Sequence, residues 1–318
     1  MQEKIIYYLK SSENYISGEE ISDHLKISRA AIWKHIQELR KGGYDIVAVP
    51  HLGYKLISSP DKLLVHEIQH GLSAKILGKK VVYCETVSST MDAVFEMGLK
   101  GEPEGTVVCT ENQTKGRGRL GRSWFSPKGK GICMSVLLRP QSSPMDVARL
   151  TILTAVAVSE AIKKKTDLAV SIKWPNDLLI RQKKVGGILT ELNAEADRVK
   201  FVVIGIGLNV NSLKSQLPSG ATSLRSETKR PLSRAVLVRE ILQEMERWYL
   251  RIQKEGFAPV AEKWRESSAT LHKRIKVVDP GGEVEGEALD IDEDGGLLVR
   301  DDSGLVIKKM AGDVVQVR

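Results

Sequence analysis

The sequence contains little cysteine and few aromatic residues. Of its 318 residues, 3 are cysteines and 5% are aromatic. Cys84, Cys109 and Cys133 lie far apart without a Cys-x-x-Cys pair, which argues against a disulfide framework or a zinc site and favours a reducing compartment. No apolar run reaches the roughly 18–20 residues of a membrane helix, and the N-terminus lacks a signal-peptide pattern. We therefore expect a cytoplasmic protein with no membrane partner.

Charge is unevenly distributed along the chain. The formal net charge of +8 comes from 48 Lys/Arg and 40 Asp/Glu. Residues 1–55 are nearly balanced, with 8 basic against 7 acidic side chains, and residues 271–318 are acidic, with 7 against 11. The basic surplus lies between them. A basic central region suits anionic ligands such as phosphates, although such a surplus is also common on a solvated surface.

The first sixty residues have the pattern of a helix-turn-helix followed by a wing. Ser17-Gly18-Glu19-Glu20 is a capping box that begins a second helix. Ser28 would cap a third helix, which Gly42-Gly43 would end. Alternating segments at residues 46–49 and 54–57 predict a hairpin. One side of the third helix is apolar, and its start and other side carry candidate DNA-binding residues: Ser28, Arg29, Trp33, Lys34 and Gln37.

The pattern changes twice after Pro60. From about residue 61 to 270, strand runs outnumber helices and often follow one another directly, which predicts a mixed sheet with helices on one side. From about residue 271, short alternating runs separated by Gly and Asp turns predict a small β-barrel. We therefore expect three domains, at residues 1–60, 61–270 and 271–318.

Residues 116–121, Gly-Arg-Gly-Arg-Leu-Gly, match the Gly-x-Gly-x-x-Gly expression for dinucleotide binding. That fingerprint needs a helix behind its third glycine, whereas the following Arg122-Ser123-Trp124-Phe125-Ser126-Pro127 would not open one. A Rossmann turn also uses bare backbone amides where this segment has arginines. We interpret residues 116–122 as a flexible glycine–arginine loop whose guanidinium groups pair with phosphate or carboxylate oxygens. A solvated basic loop is the alternative interpretation.

Other segments carry polar groups at suitable places. Residues 173–177 (Lys-Trp-Pro-Asn-Asp) follow a predicted strand, where open α/β sheets place ligand groups, although a simple Asn-Asp turn explains them as well. Lys184 begins an apolar strand and suits a carboxylate or phosphoryl oxygen. Glycines in residues 205–209 permit close approach, and core packing explains them almost equally. Neutral donors and acceptors come from Ser89, Thr90 and Gln113, of which Ser89 could simply be a helix N-cap.

In this order and spacing, these segments resemble those of bifunctional biotin–protein ligases that also repress biotin operons. The resemblance covers essentially the whole chain. Its most specific parts are residues 116–122 and 173–177, and residues 28–36 are similar to the family's recognition helix. One departure is Met91, where members of the family often have Asn, so a ligand contact from this side chain is in question.

The resemblance implies an α/β (α+β) architecture: a winged helix-turn-helix, a mixed-sheet catalytic domain like that of biotin and lipoate ligases, and a C-terminal SH3-like barrel. It also implies ATP, Mg²⁺ and biotin as reactants. The biotin carboxylate would attack the α-phosphate of ATP to give biotinyl-5′-AMP, and a lysine of a biotin carboxyl carrier protein would then take the biotinyl group. A homodimer formed with bound adenylate would bind operator DNA. No protein-ligated metal is expected.

The resemblance also implies roles for particular residues. Ser89, Thr90 and Gln113 would bind the ureido ring of biotin. Arg117, Gly118 and Arg119 would close over the ligand, and Lys184 would hold its carboxylate or its phosphoryl oxygen. Arg117, Arg119 and Lys184 are therefore the candidate catalytic residues. Residues expected to face ATP or the adenylate are Arg119, Arg122, Lys173, Asn176, Asp177 and Asn209.

Two alternatives stay open. A lipoate or octanoate ligase has a similar catalytic fold, although the glycine–arginine loop favours biotin and such enzymes usually lack a helix-turn-helix. The winged helix could also pack on the enzyme, or bind protein, without repressing. We further expect the glycine–arginine loop to be mobile until the ligand orders it.

Overall fold

The computed structural model describes residues 1–141, 143–195, 198–279 and 281–317. Its strands form three sheets, of two, seven and five strands in chain order along these residues. Within the same residues, no helix is both long and apolar enough to cross a membrane.

The N-terminal part is a helix-turn-helix with a wing, as predicted. Its elements are α1 (Gln2–Lys10), α2 (Gly18–Leu25), α3 (Arg29–Lys41), β1 (Asp45–Val49) and β2 (Gly53–Ser58), the two strands being antiparallel. Ser28 Oγ accepts a hydrogen bond from the Ala31 N–H at 3.2 Å, and Ser17 Oγ accepts one from the Glu20 N–H at 3.0 Å. The Glu20 carboxylate accepts from the Tyr8 hydroxyl at 2.9 Å, so this half of the predicted capping box is an interhelical contact instead.

The central sheet is mixed, as predicted. Its strands are β3 (Val81–Cys84), β4 (Val107–Thr110), β5 (Gly131–Leu138), β6 (Ser171–Lys173), β7 (Asp177–Ile180), β8 (Lys183–Glu195) and β9 (Arg198–Asn209). They lie in the order β3-β4-β5-β9-β8-β7-β6; β3 and β4 are parallel and the other neighbours antiparallel. Strand β7 was missed because only three apolar residues follow the Asn-Asp pair. Residues 173–177 therefore form a tight antiparallel turn, not the open strand end that the sequence suggested.

Helices cover both faces of this sheet, so the prediction of helices on one side was wrong. They are α4 (Val65–Gln69), α5 (Thr90–Leu99), α6 (Val147–Thr166), α7 (Leu224–Thr228), α8 (Arg234–Glu255) and α9 (Ala258–Glu266). Alternate strand residues point to opposite faces. Val136 and Val202 join the core under α6 and α8, whereas Leu137 and Val203 join a separate core under α5. Because α5 covers only part of its face, the rest is open.

The C-terminal part is an antiparallel sheet of short strands, which confirms the predicted strand-rich segment, and closure of this sheet into a barrel stays a prediction. They are β10 (Arg274–Asp279), β11 (Gly282–Ile291), β12 (Leu297–Arg300), β13 (Val306–Lys309) and β14 (Asp313–Gln316), in the order β13-β12-β11-β10-β14. Trp174 Nε1 donates to the Gly295 carbonyl at 3.1 Å, and Arg149 pairs with Asp294 at 2.9 Å. These contacts hold the turn between β11 and β12 against the central part, and the pairing of Arg122 with Asp313 places β14 beside the glycine–arginine loop.

The winged helix is docked on the central part through buried polar contacts. Lys10 Nζ lies 2.5 Å from Glu67 Oε2, and the Tyr44 hydroxyl donates to Glu67 Oε1 at 2.9 Å. Glu67 is only 5% exposed. Helix α4 therefore carries the carboxylate that holds α1 and the turn between α3 and β1.

We expect this docking to weaken under mild acid. Burial lowers the pKa of His66 below its ordinary value of 6.5, although Glu67 and Glu3 oppose the shift. Protonation is therefore more favourable in the unfolded chain than in the folded one. The stabilising contribution is complete above pH 6.5 and is lost as the pH falls below it. The midpoint of thermal unfolding, measured between about pH 7 and pH 5, should fall, and His66→Gln should reduce that fall.

The exposed wing residue His51 provides a matched control, since His51→Gln should leave the pH profile unchanged. Burial also lowers the pKa of His70, so part of the pH dependence should survive in His66→Gln. Identical profiles for His66→Gln and the wild type would contradict the assignment.

Candidate functional site

A cleft of about 140 Å³ opens on the face of the central sheet that α5 leaves uncovered. Most of the predicted site residues line it. The neutral group there consists of Ser89, Thr90 and Gln113, and the loop supplies Arg117, Gly118, Arg119 and Arg122. Asn176, Asp177 and Lys184 lie on its other wall. Lys173 and Asn209 do not line this cleft.

Two glycines of β9 form the floor. A Cβ atom on Gly207 would lie 2.5 Å from Cε2 of the Trp124 ring, and one on Gly205 would lie 2.5 Å from Met91 Sδ. Such contacts are far too short, so neither position can carry a side chain without displacement of its neighbour. The two glycines therefore allow the Trp124 ring and the Met91 side chain to lie directly against β9. Met91 lines the cleft as a buried apolar group, and Trp124, to which the sequence assigned no role, packs against the floor.

The neutral end of the cleft is a short hydrogen-bond chain. The Thr90 N–H and hydroxyl donate to Gln113 Oε1 at 2.8 and 3.1 Å. The Ser135 hydroxyl donates to Thr90 Oγ1 at 2.8 Å. Ser89 Oγ accepts from the Met91 N–H at 3.2 Å and caps α5. Ser135 was missed, and its only signal is a single polar residue inside the buried run of β5.

The glycine–arginine loop is a closed turn. The Trp124 N–H donates to the Gly116 carbonyl at 2.9 Å, and the Gly118 N–H donates to the Arg122 carbonyl at 2.7 Å. At the tip, Leu120 and Gly121 have left-handed φ angles of 55° and 73°. The chain then runs back without an α-helix behind Gly121, which excludes the dinucleotide fingerprint, as predicted.

Two arginines of this loop reach the C-terminal part. Arg119 donates to Asn176 Oδ1 and to the Gly312 carbonyl, each at 3.2 Å. Burial lowers the pKa of Arg119, while Asp313 and Asp177 oppose that shift. Arg122 pairs with Asp313. No sequence pattern indicated Asp313, because only folding brings β14 next to the loop.

A charged pair lies on the opposite wall. Lys184 Nζ is 2.5 Å from Asp177 Oδ1 and 5.9 Å from the centre of the Trp124 ring. The Asn176 amide donates to the Ile188 carbonyl at 2.6 Å, which holds the turn against β8. The backbone of Lys173 lies opposite that of Asp177 in the antiparallel register of β6 and β7, and Lys173 stays outside the cleft lining.

Two buried polar atoms near the floor have no hydrogen-bond partner among the described residues. They are Trp124 Nε1 and Asn209 Oδ1. Asn209 shares the strand face of Gly205 and Gly207, and its amide donates to the Thr222 carbonyl at 3.1 Å. Buried polar atoms are normally paired, so these two fit a polar ligand. In the described part of the chain, no group of three or more His, Cys, Asp or Glu side chains could hold a metal ion.

The predicted DNA-binding residues form one surface at the start and outer side of α3. Ser28, Arg29, Trp33 and Lys34 are exposed and Gln37 is half-buried. Trp33 is 58% exposed, which is unusual for an indole in a small domain. The core side of α3 is filled by Ile32, Ile36 and Leu39.

Comparison with known proteins agrees with this division of the molecule. The profile of the Biotin/lipoate A/B protein ligase family matches residues 83–209, an HTH domain profile matches residues 1–55, and the Biotin protein ligase C terminal domain profile matches residues 270–315. The Bifunctional ligase/repressor BirA of Bacillus subtilis (strain 168) is 40% identical over 302 residues, covering 94% of this chain and 93% of that protein. The chain belongs to the bifunctional ligase/repressor family.

Other similar proteins match all or part of the chain. The Bifunctional ligase/repressor BirA of Escherichia coli (strain K12) is 31% identical over 314 residues, covering 98% of this chain and 95% of that protein. The biotin protein ligase from Aquifex aeolicus, solved in complex with biotin and ATP, has a TM-score of 0.65 and 28% identity. The match covers 76% of this chain and 99% of the Aquifex aeolicus chain.

Proposed function

We propose that this chain is an ATP-dependent biotin–protein ligase that also represses biotin genes. It forms biotinyl-5′-AMP and transfers biotin to a lysine of a biotin carboxyl carrier protein. One observation carries the enzymatic assignment: a single cleft joins a neutral hydrogen-bonding end at Thr90 and Gln113 to a cationic end at Arg119 and Lys184. We assign DNA binding to a domain of residues 1–60 and catalysis to a domain of residues 61–270. Residues 271–318 form the third domain, the C-terminal barrel.

The first step is attack of the biotin carboxylate on the α-phosphate of ATP. A bond forms between the carboxylate oxygen and phosphorus, the bond to the β-phosphate breaks, and pyrophosphate leaves. The ureido ring lies against Ser89, Thr90 and Gln113, and the apolar part of biotin crosses the glycine floor beside Trp124. Lys184 and Arg119 stabilise the negative charge that accumulates, and Arg117, which pairs with two carboxylates, acts as part of the loop that closes over the ligand.

The phosphate and nucleoside groups occupy the opposite wall. The residues assigned to them are Arg119, Arg122, Lys173, Asn176, Asp177 and Asn209. Asn209 lies outside the lining of the open cleft, and its Oδ1 atom, which has no partner among the described residues, is an acceptor for a donor group of the ligand. Mg²⁺ is carried by the ATP phosphates and neutralises their charge.

The second step needs no nucleophile from this chain. The neutral amine of the acceptor lysine attacks the acyl carbon, a C–N bond forms, the bond to the phosphate oxygen breaks, and AMP leaves while the amine loses a proton. Loop closure over the adenylate keeps water away from the mixed anhydride before the acceptor arrives.

Mass spectrometry of a carrier protein tests the enzymatic assignment directly. Incubation with this protein, biotin and Mg-ATP should add one biotinyl group to the carrier, and omission of ATP should abolish the addition. Lipoate in place of biotin is the matched control. Modification by lipoate but not by biotin would make the chain a lipoate ligase, and modification by neither would remove the assignment.

We expect substitutions on α3 to separate the two functions. Arg29→Ala and Trp33→Ala should each weaken operator binding about 10-fold, since a good base contact contributes about 1–3 kcal/mol. Biotin transfer should be unchanged because both side chains are exposed. Gel shifts on the biotin-gene control region, with biotin and ATP present, measure the first effect.

Lys4→Ala, on the exposed side of α1, is the control for those gel shifts and should bind normally. Failure of the wild type to bind that DNA would remove the repressor assignment. Normal binding by both α3 variants would move the contact away from α3.

We infer that the DNA-binding form is a homodimer that assembles when the adenylate is bound. Helix-turn-helix proteins commonly read two-fold operators as dimers, which supports this inference. Sedimentation velocity with and without biotin and ATP measures the change. We place the protein in the cytoplasm, where ATP, carrier protein and gene DNA meet, and its three free cysteines agree with a reducing compartment.

A further inference from the structure

The guanidinium of Arg117 is held by two carboxylates from two separate elements. Arg117 Nη2 lies 2.8 Å from Asp92 Oδ1, on α5, and 2.9 Å from Glu191 Oε2, on β8. Asp92 comes two residues after Thr90, and Glu191 comes two residues after Leu189, both of which line the cleft. The ion pairs therefore span the mouth of the cleft from one wall to the other.

These two carboxylates anchor one side of the glycine–arginine loop. The other side is anchored by Arg119 on Asn176 and Gly312, and by Arg122 on Asp313. A loop held on one side only can swing about its base at residues 116 and 124. Attachment on both sides keeps it across the cleft.

We propose that Asp92 and Glu191 are positioning residues that clasp Arg117 and thereby set how fast the acyl-adenylate escapes before transfer. This proposal rests on the proposed ligase function. It assigns no contact with the reacting atoms to either carboxylate. Their action passes through Arg117 to the loop, and through the loop to the retention of the intermediate.

The exposure of the clasp fits a device that opens in each turnover. The side chains of Arg117, Asp92 and Glu191 are 42%, 50% and 31% exposed. Exposed ion pairs are weak and are screened by salt. One such pair would hold the loop poorly, whereas two carboxylates on one guanidinium hold it better. Both ion pairs can still break when the acceptor protein must reach the adenylate.

A competing arrangement predicts the opposite sign. If Asp92 and Glu191 merely occupied Arg117 until a ligand phosphate displaced them, they would compete with the ligand. Neutralising them would then tighten binding and slow the escape of the adenylate. If they clasp the loop, neutralising them must speed that escape.

The test uses the full-length protein and the rate at which preformed biotinyl-5′-AMP dissociates at low salt. Asp92→Asn and Glu191→Gln should each raise this rate about 3-fold, and the double variant about 10-fold. Glu96→Gln, exposed one turn further along α5, is the control and should leave the rate unchanged. Added salt should raise the wild-type rate towards that of the double variant.

Conservative variants separate a clasp from a loss of local structure. Glu191→Asp keeps the carboxylate and should recover most of the retention of the adenylate. Asp92→Asn also alters the charge near the N-terminus of α5, so Glu191→Gln is the cleaner of the two neutralising substitutions. The rate of transfer at saturating acceptor should stay at the wild-type value in all of them. An unfolded variant would show itself in the thermal unfolding midpoint.

An unchanged or slower escape of the adenylate from a folded double variant would overturn the proposal. That outcome would leave the ligase assignment intact, because dissociation of preformed biotinyl-5′-AMP is measured separately from its synthesis. A wild type that makes no adenylate would remove the proposed function itself.

Discussion

Lys184→Met should slow adenylate formation about 100- to 1,000-fold, the range typical for loss of one preorganised group that stabilises transition-state charge. The ammonium of Lys184 lies 2.5 Å from Asp177 and lines the cleft. Methionine keeps much of the side-chain volume but removes the charge. The Asp177 carboxylate would then face the phosphates without its cation, which adds repulsion to the lost attraction.

Single-turnover release of pyrophosphate measures this effect. Lys183→Met is the matched control, since Lys183 is an exposed lysine one residue earlier on β8 and should be replaceable with little loss. Lys184→Arg should recover part of the rate because it restores the charge with different geometry. A rate for Lys184→Met close to that of the wild type would remove Lys184 from the catalytic residues.

Gly207→Ala should raise the KM for biotin by about 30-fold or more, a cost of about 2 kcal/mol, in the usual range for overpacking. The added methyl group would lie 2.5–2.8 Å from three atoms of the Trp124 ring. The indole must therefore move away from the floor, and it carries the buried Nε1 atom with it. Because Trp124 follows the glycine–arginine loop directly, the loop would shift as well.

The paired residue on β8 supplies the contrast. Gly187 lies opposite Gly207 in the sheet, yet a Cβ atom there would meet its nearest neighbours at 3.5–3.6 Å, an ordinary contact distance. Gly187→Ala should therefore change the KM for biotin much less. Initial rates at varied biotin concentration compare the two KM values, and equal effects would show that the Trp124 contact is not the cause.

The starts of several helices could be read from single residues. Ser17, Ser28 and Ser89 each cap a helix at the position that the sequence indicates. A cap works within one turn of chain, so its signal is local. The face of the sheet on which each helix packs is not local, and for that reason the covering of both faces was missed.

The candidate site shows the same division between features that are local in the sequence and features that depend on tertiary packing. The sequence by itself determined which side chains carry the charge and the neutral hydrogen bonds, because residue type and spacing along the chain are all that such motifs need. Only the tertiary structure decided what holds them: Asp313 and Gly312 against Arg119 and Arg122, and Asp92 with Glu191 against Arg117. These contacts join residues 25 to almost 200 positions apart, and no local pattern encodes a pairing that depends on how three sheets pack.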